Sequence, residues 1–260
     1  FLVARLPRHD LRFRVRTEDV VGRHIYKYHV HEAELTALLA RQLTFEAGDV
    51  IVDVGANIGW YSVLLDRLAP NGVDILAFEP DPLNFRLLTE NLRLNGARSV
   101  LAVRKALADR EGVMRLHLHD SSNLGRHSLL ELQDGASVDV ETTTLHRYWA
   151  QQGLGERTPR FIKIDIEGYE LQALRGAGDL LARCPAVLCE YSPEYMRRGG
   201  MDPADLVDLF VGHGFIAHRV SARGLEPMTP DAVKRLEPIT DLFWRSPAGA
   251  GAAGTGMSRA

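Results

Sequence analysis

The order of hydrophobic and polar positions predicts strands and helices that alternate from residue 49 onward. Short apolar runs, typical of buried parallel strands, lie at 50–54, 75–79, 99–104, 160–166 and 186–191. The segments between and after them predict helices at about 59–69, 82–95, 168–182 and 202–213. Two late segments, 215–220 and 239–245, predict antiparallel strands at one end of the sheet. The pattern therefore predicts an α/β fold with a doubly wound, mostly parallel, seven-stranded sheet.

The first 47 residues predict a small extension that precedes this domain. Alternation with period two predicts a strand at 11–16, and an apolar–polar stretch predicts a second strand at 25–28. Leucines at helical spacing predict an amphipathic helix over 32–43. An extension of this size is too small to bury a core of its own, so we expect it to pack on the domain formed by residues 48–246.

Three further segments interrupt or follow the alternating pattern. Residues 113–120 predict another strand, and 121–141 predict a long polar loop of the kind that often carries function. Residues 247–260 are rich in glycine and alanine, and we expect them to form a disordered tail.

Composition narrows the class of protein. The net charge of −3 predicts no general attraction to nucleic acid, and no apolar run is long enough to predict a membrane span. The first residues lack the long apolar stretch of a signal peptide, and two cysteines, Cys184 and Cys189, make no disulfide framework. We therefore expect a cytoplasmic protein with a small-molecule partner, and the composition leaves homo-oligomerisation open.

A glycine-containing turn follows the first strand of the domain. Asp53 ends this strand, and Gly55, Asn57 and Gly59 follow it. Glycines at such a turn let the backbone approach a ligand closely. We therefore expect these four residues to bind a nucleotide-like cofactor.

A second carboxylate supports this interpretation. Glu79 ends the next predicted strand, 20 residues beyond Gly59, and Pro80 follows it. Each oxygen of a carboxylate at this place can accept a hydrogen bond from one ribose hydroxyl. Glu79 and Pro80 are therefore predicted to bind the cofactor as well.

The spacing of the turn favours S-adenosylmethionine over a dinucleotide. A dinucleotide fingerprint needs G-x-G-x-x-G, but Asn57 and Trp60 stand at its second and third glycine positions. An NAD(P)-dependent oxidoreductase is the alternative enzyme. A nucleic-acid methyltransferase and a non-catalytic module that only binds the cofactor are further alternatives.

The stretch around Asp165 is the predicted catalytic region. Lys163, Asp165 and Glu167 alternate along one face of a strand, and Glu190 ends the next strand. Ligands bind at the carboxyl ends of such strands, so these side chains are expected to share a crevice. Asp165 and Glu190 are the leading candidates for a general base, and Lys163 is expected to pair with Asp165. Asp165 is also predicted to contact the cofactor.

Histidines and a metal ion are further candidates for the chemistry of the predicted catalytic region. His127, in the predicted long loop, is a third candidate for the base. His29 and His31 are interpreted as exposed residues on a strand, because no further ligand stands at zinc spacing. A divalent cation on Asp165, Glu167 or Glu190 is chemically possible, but no ligand spacing requires it, so no metal is predicted.

With these motifs in view, the sequence resembles the FkbM-type methyltransferases, enzymes that mostly O-methylate with S-adenosylmethionine. The resemblance rests on VIVDVGANIGWYS at 50–62, FEPDP at 78–82 and IKIDIEGYELQALRGA at 162–177. It implies a hydroxyl acceptor on a saccharide or another small natural product. It also implies that Asp53, Gly55, Asn57 and Glu79 bind the cofactor and that the segment from Ala106 frames the adenine. His146 departs from the family pattern, in which an aspartate is common.

Overall fold

The N-terminal extension forms a hairpin and two helices. The computed structural model describes residues 1–7, 9–118, 127–130 and 136–246. The extension contains β1 (Leu2–Leu6), β2 (Leu11–Val15), α1 (Val20–Tyr28) and α2 (Ala33–Gln42), and β1 pairs with β2 in antiparallel fashion. The predicted strand over 11–16 and helix over 32–43 are confirmed.

The predicted strand at 25–28 is wrong, because this segment is part of α1. Asp19 caps that helix by accepting a hydrogen bond from the backbone N–H of Gly22, and Val21 and Ile25 are buried four residues apart on one face. This apolar spacing suits a helix. The strand partner of β2 lies before it in the chain, in a segment for which no strand was predicted.

Strands and helices follow the extension along the rest of the described chain. The elements that follow the extension as far as residue 107 are β3 (Val50–Val54), α3 (Trp60–Leu68), β4 (Asp74–Phe78), α4 (Pro82–Asn95), β5 (Val100–Val103) and β6 (Ala106–Leu107). The next are β7 (Gly112–His117), β8 (Ser137–Thr143), α5 (Leu145–Gln151), β9 (Pro159–Ile164), α6 (Glu170–Arg175), α7 (Asp179–Arg183) and β10 (Ala186–Tyr191). The last are α8 (Pro193–Arg198), α9 (Pro203–Gly212), β11 (Ile216–Ser221), β12 (Gly224–Met228), α10 (Pro230–Lys234) and β13 (Thr240–Arg245).

The strand order of the main sheet is β12-β11-β13-β10-β9-β3-β4-β5. The strands from β10 to β5 pair in parallel, whereas β13, β11 and β12 are antiparallel. The predicted doubly wound, mostly parallel fold is confirmed with all seven of its strands. An eighth strand, β12, pairs with β11 through a short turn.

Two further differences from prediction concern a helix and a loop. The predicted helix over 168–182 is two short helices, because Gly178 at φ 58° interrupts it. The predicted loop ends in β8, which lies between β6 and β7 in a small second sheet. Residues 119–126, 131–135 and the predicted tail lie outside the described residues.

The extension shares a core with one face of the main sheet. Phe13, Ile25 and Leu38 are fully buried and belong to the same cluster as Ile51 and Ile75 of the main sheet. The opposite face is covered by a second cluster that contains residues of α5 to α9. Because the extension is held against the sheet, its loops lie beside the carboxyl end of β3.

Candidate active site

A turn in a strained conformation connects β3 to α3. Gly55 has φ 76° and Asn57 has φ 51°. An added Cβ at Gly55 would lie 2.0 Å from the carbonyl oxygen of Asp165, so no larger residue fits there without a shift of the backbone. The turn thereby brings the ends of β3 and β9 close together.

Glu79 lies at the end of β4 and faces the same turn. Its carboxylate accepts hydrogen bonds from the backbone N–H of Asn57 at 2.8 Å and of Asp81 at 2.9 Å. Burial raises the pKa of Glu79 to about 8, although these two hydrogen bonds favour the charged form. A carboxylate oxygen can accept more than one hydrogen bond, so each oxygen retains capacity for a ligand hydroxyl.

These residues line a cavity, which we call the first cavity. Its lining consists of Val54, Gly55, Asn57, Phe78, Glu79, Pro80, Asn84, Lys105, Ala106, Leu107, Leu116, His127, Leu129, Asp165, Ile166 and Tyr169. The structure thus brings together six of the residues that were predicted to bind the cofactor, Gly55, Asn57, Glu79, Pro80, Ala106 and Asp165. His127 lies on this side as well.

Two residues predicted to bind the cofactor lie outside that lining. The Asp53 side chain is fully buried and accepts a hydrogen bond from the Ser62 hydroxyl at 2.6 Å. Gly59 stands at the N-terminus of α3, where an added Cβ would lie 2.7 Å from a methyl group of Leu88. Asp53 and Gly59 are therefore buried beside the turn, and neither residue lines the first cavity.

A second cavity adjoins the first. Its lining includes Val20, Val21, His31, Glu32, Gly55, Ala56, Asn57, Ile58, Trp60, Tyr61, Lys163, Asp165, Glu167 and Glu190. Gly55, Asn57 and Asp165 line both cavities. The two cavities therefore have these three residues as a common boundary.

Lys163 and Asp165 form an ion pair at this shared wall. The Lys163 ammonium lies 3.2 Å from the Asp165 carboxylate and 3.5 Å from the carbonyl oxygen of Gly55. The Lys163 side chain is only 5% exposed. Burial opposes its charge, but the carboxylates of Asp165, Asp53 and Glu32 raise the pKa of Lys163 above its ordinary value. The predicted pairing is present, and the ammonium stays charged.

Glu167 and Glu190 bring further carboxylates into the second cavity. Oxygen atoms of Asp165, Glu167 and Glu190 all lie within 4.8 Å of one another. Burial and the neighbouring carboxylates raise the pKa of Glu190 well above its ordinary value, although the Ser192 hydroxyl donates to it at 2.5 Å. Glu190 therefore retains a proton under conditions in which an exposed carboxyl group is ionised.

Sequence reasoning missed several residues of this cavity. His31 and Glu32 come from the connection between α1 and α2, and Tyr61 comes from α3 and donates its hydroxyl to Glu32. Asp241 pairs in register with Glu190 on the neighbouring strand but lies outside this lining, and burial raises the pKa of Asp241 to about 7. No sequence signal pointed to His31, because its segment was assigned to the wrong type of element.

Comparison with known proteins identifies the family of this chain. Residues 53–217 match the Methyltransferase FkbM domain, and this match spans the turn, Glu79 and the Lys163–Asp165 strand. The chain belongs to the FkbM methyltransferase family.

Curated relatives share part of the chain. It is 29% identical over 165 residues to the hexuronic acid methyltransferase AglP of Haloferax volcanii, a match that covers 63% of this chain and 62% of AglP. It is 29% identical over 200 residues to the 31-O-demethyl-FK506 methyltransferase FkbM of Streptomyces tacrolimicus, covering 65% of this chain and 73% of the relative. The chain thus spans about three fifths of the length of AglP.

A solved structure shares the fold. The methyltransferase FkbM of Methylobacillus flagellatus superposes with a TM-score of 0.50 at 19% identity, covering 85% of this chain and 49% of that one. In the part of this FkbM-family chain that the structure describes, each helix is too short or too polar to cross a membrane.

Proposed function

We propose that this chain is an S-adenosylmethionine-dependent O-methyltransferase. The observation that carries the proposal is the wall of Gly55, Asn57 and Asp165 shared by the two cavities. A cofactor in the first cavity and an acceptor in the second would meet there, so their reacting atoms would be held in one orientation. Orientation of this kind supplies much of the acceleration in a displacement reaction.

The chemistry of the first cavity fits S-adenosylmethionine. Glu79 offers oxygens for two ribose hydroxyls, and apolar side chains, among them Phe78, Leu107 and Leu116, offer a surface for the adenine ring. Among the described residues that line this cavity, Lys105 is the one lysine or arginine, and its ammonium lies 2.6 Å from Glu141. This lining suits a cofactor without phosphate better than NAD(P).

When bound, the cofactor would supply a methyl group from its sulfonium. The acceptor oxygen would bond to the methyl carbon, and the sulfur would keep the electron pair of the broken C–S bond. The protein has to bind the acceptor, exclude water and remove the hydroxyl proton. We assign Asp165 to receiving and orienting the acceptor hydroxyl, with Lys163 holding Asp165 in place. Glu190, which retains its proton, donates a hydrogen bond to a second acceptor oxygen.

We assign the acceptor substrate to the class of hydroxylated small molecules, either saccharides or other natural products. The second cavity is lined by carboxyl groups, among them Asp165, Glu167 and Glu190, which suit an acceptor with several hydroxyls. The named substrates of the relatives, a hexuronic acid and a demethylated FK506, are of this kind. His127 lines the first cavity but is not among the residues that line the second, so it receives no role in proton removal.

Calorimetric titration with S-adenosylmethionine, S-adenosylhomocysteine and NAD tests the proposal. We expect micromolar binding of the first two ligands and no heat from NAD. Binding of NAD alone would favour an oxidoreductase, and no binding of any of the three would contradict a cofactor site in the first cavity.

A further inference from the structure

A further cavity, which we call the third cavity, lies beside the second at the antiparallel side of the main sheet. Glu32 lines both cavities. Glu190 of the second cavity also pairs in register with Asp241, which lines the third. The pKa of Asp241 is raised to about 7, first by burial and then by the carboxylates of Glu32 and Asp165. Since both of these carboxylates line the second cavity, the third cavity is a direct neighbour of the proposed acceptor site.

The three cavities follow the strand order of the main sheet. The first lies at the ends of β4 and β3, the second at the ends of β3, β9 and β10, and the third at β13 and β11. β11 runs parallel to β10, because both are antiparallel to the strand β13 between them. Arg219 and Val220, near the end of β11, therefore lie at the same edge of the sheet as Glu190 near the end of β10. The crevice proposed to hold the cofactor and the acceptor thus continues along this edge.

The extension supplies the other wall of the third cavity. Residues 32–35, at the start of α2, line it together with residues of β11 and β13, and α2 contacts β11. Glu34, Arg219 and Ile239 are exposed, so the cavity opens to solvent. A molecule bound there can therefore extend beyond the protein surface.

The third cavity offers as much room as the second. With the space open to solvent included, its empty volume is about 830 Å³, against about 750 Å³ for the second cavity. Both volumes lie in the range that is typical of small-molecule sites. Two linked units of similar size can therefore occupy the two cavities together.

The lining of the third cavity combines apolar and polar groups, as a sugar ring does. Ile239 is 41% exposed and offers an apolar surface to the C–H groups of a ring. The carboxyl groups of Glu34 and Asp241 and the hydroxyl of Thr240 can bond to ring hydroxyls. Arg219 forms no ion pair with any carboxylate that the structure describes, so its N–H donors are available to ring oxygens. These polar groups favour a saccharide over a mainly apolar natural product.

We infer that the third cavity is a second acceptor subsite and that the acceptor is an oligosaccharide. The ring to be methylated lies in the second cavity, and the adjoining ring lies in the third. The inference rests on the proposed methyltransferase function. Arg219 and Ile239 are then specificity-determining residues, because they contact the adjoining ring and take no part in methyl transfer. Any further ring extends into solvent.

The first test compares acceptors of different length on the wild-type protein. The panel contains mono-, di- and trisaccharides of glucose, galactose, mannose, N-acetylglucosamine and galacturonic acid, and release of S-adenosylhomocysteine reports turnover. For a sugar that is methylated, the disaccharide should have a kcat/KM at least about tenfold higher than the monosaccharide, because the adjoining ring adds two or more hydrogen bonds. The trisaccharide should add little, because its third ring lies in solvent.

The second test changes the third cavity alone. Arg219→Ala removes hydrogen-bond donors, and Ile239→Trp fills the space of the adjoining ring. Arg219→Ala should lower the ratio of disaccharide to monosaccharide kcat/KM, and Ile239→Trp should bring this ratio close to one. The matched control is Arg223→Ala, an exposed arginine in the turn between β11 and β12 that lies outside this lining and should keep the wild-type ratio. Thermal unfolding checks that each variant is folded.

The outcomes separate this inference from the proposed function. A wild-type protein that binds no S-adenosylhomocysteine contradicts the proposed function itself. A wild-type protein that binds it but methylates no member of the panel, or that methylates mono- and disaccharides equally well, contradicts the subsite alone. Folded Arg219→Ala and Ile239→Trp variants that both keep the wild-type ratio contradict the subsite equally.

Discussion

The two cavities of this FkbM-family chain differ in charge and in origin. Within the described residues, the first cavity is lined largely by apolar side chains, with Glu79 and Asp165 as its carboxylates. The second is lined by four carboxylates, Glu32, Asp165, Glu167 and Glu190, against the single ammonium of Lys163. One side of their shared wall is thus suited to the adenine ring and the ribose of the proposed cofactor. The other side is suited to a polar acceptor.

The difference in origin shows how such a site is assembled. The first cavity is built mainly from residues that directly follow strands of the domain, such as Gly55 after β3 and Glu79 after β4. The second also needs His31 and Glu32 from the N-terminal extension. The cavity proposed for the cofactor is therefore formed within the domain that follows the extension, whereas the cavity proposed for the acceptor also depends on the extension.

The largest expected effect comes from removal of the ammonium between the cavities. Lys163→Met leaves Asp165 without its partner and the fully buried Asp53 without a neighbouring positive charge. Breaking a buried ion pair on one side typically costs about 3–5 kcal/mol, so we expect a loss near the lower end of this range in the free energy of unfolding. Urea unfolding at neutral pH measures it. Unchanged stability would show that Lys163 does not hold the wall together.

The next largest effect is expected for Asp165, and it distinguishes the role of the second cavity from that of the first. Because Asp165 is proposed to orient the acceptor, Asp165→Asn should lower kcat on the order of 10²-fold while the affinity for S-adenosylhomocysteine changes only a few-fold. The control is Asp179→Asn, an exposed carboxylate on α7. If Asp165→Asn instead weakened cofactor binding strongly and left kcat at saturating cofactor unchanged, Asp165 would act in the first cavity alone.

A smaller effect is expected at Glu79. Loss of charged hydrogen bonds to two ribose hydroxyls, each worth about 1.5–3 kcal/mol, should weaken S-adenosylhomocysteine binding at least about tenfold in Glu79→Gln. Glu226→Gln, an exposed substitution on β12, is the control. An unchanged dissociation constant in Glu79→Gln would remove Glu79 from the ribose site.

The pKa of Glu79 adds a pH dependence to this prediction. The folded-state pKa is raised to about 8, and ribose hydroxyls bind the ionised carboxylate better than the protonated one. Affinity should therefore rise as the pH increases through 8, and binding at neutral pH should release a proton from Glu79. Calorimetry in two buffers with different ionisation enthalpies measures that release, which should be absent in Glu79→Gln.

The smallest expected effect is that of a chelator. Lys163 pairs with Asp165, one of the three carboxylates of the cluster, so we expect the cluster to need no cation. Turnover should be the same with and without EDTA. Loss of turnover that Mg²⁺ or Mn²⁺ restores would assign a cation to Asp165, Glu167 and Glu190.

Sequence reasoning predicted the sheet well because its strands are buried on both faces. Residues 50–54, for example, are all buried, so each position is apolar or, like Asp53, bonded inside the core. The eighth strand, β12, is half exposed and contains Pro227, which hid it from a search for apolar runs. The segment 25–28 was misassigned because aromatic residues with strand propensity are exposed there on a helix.

The residues of the candidate site likewise divide into those that the sequence could predict and those that it could not. Gly55, Glu79 and Asp165 were predictable because each directly follows or ends a strand, and parallel strands bring such residues to one edge of the sheet. His31 and Glu32 reach the site through the packing of the extension, which local periodicity does not encode. Asp53 is buried beside the turn and accepts a hydrogen bond from Ser62, a contact that sequence spacing alone does not reveal.

A crystal structure with bound S-adenosylhomocysteine tests the central claim most directly, because it shows where the sulfur lies relative to the shared wall. The account predicts the ribose hydroxyls on Glu79 and the sulfur beside Gly55, Asn57 and Asp165, with the second cavity open to an acceptor. A ligand whose ribose lies away from Glu79, or one that fills the space between His31 and Glu190, would contradict it.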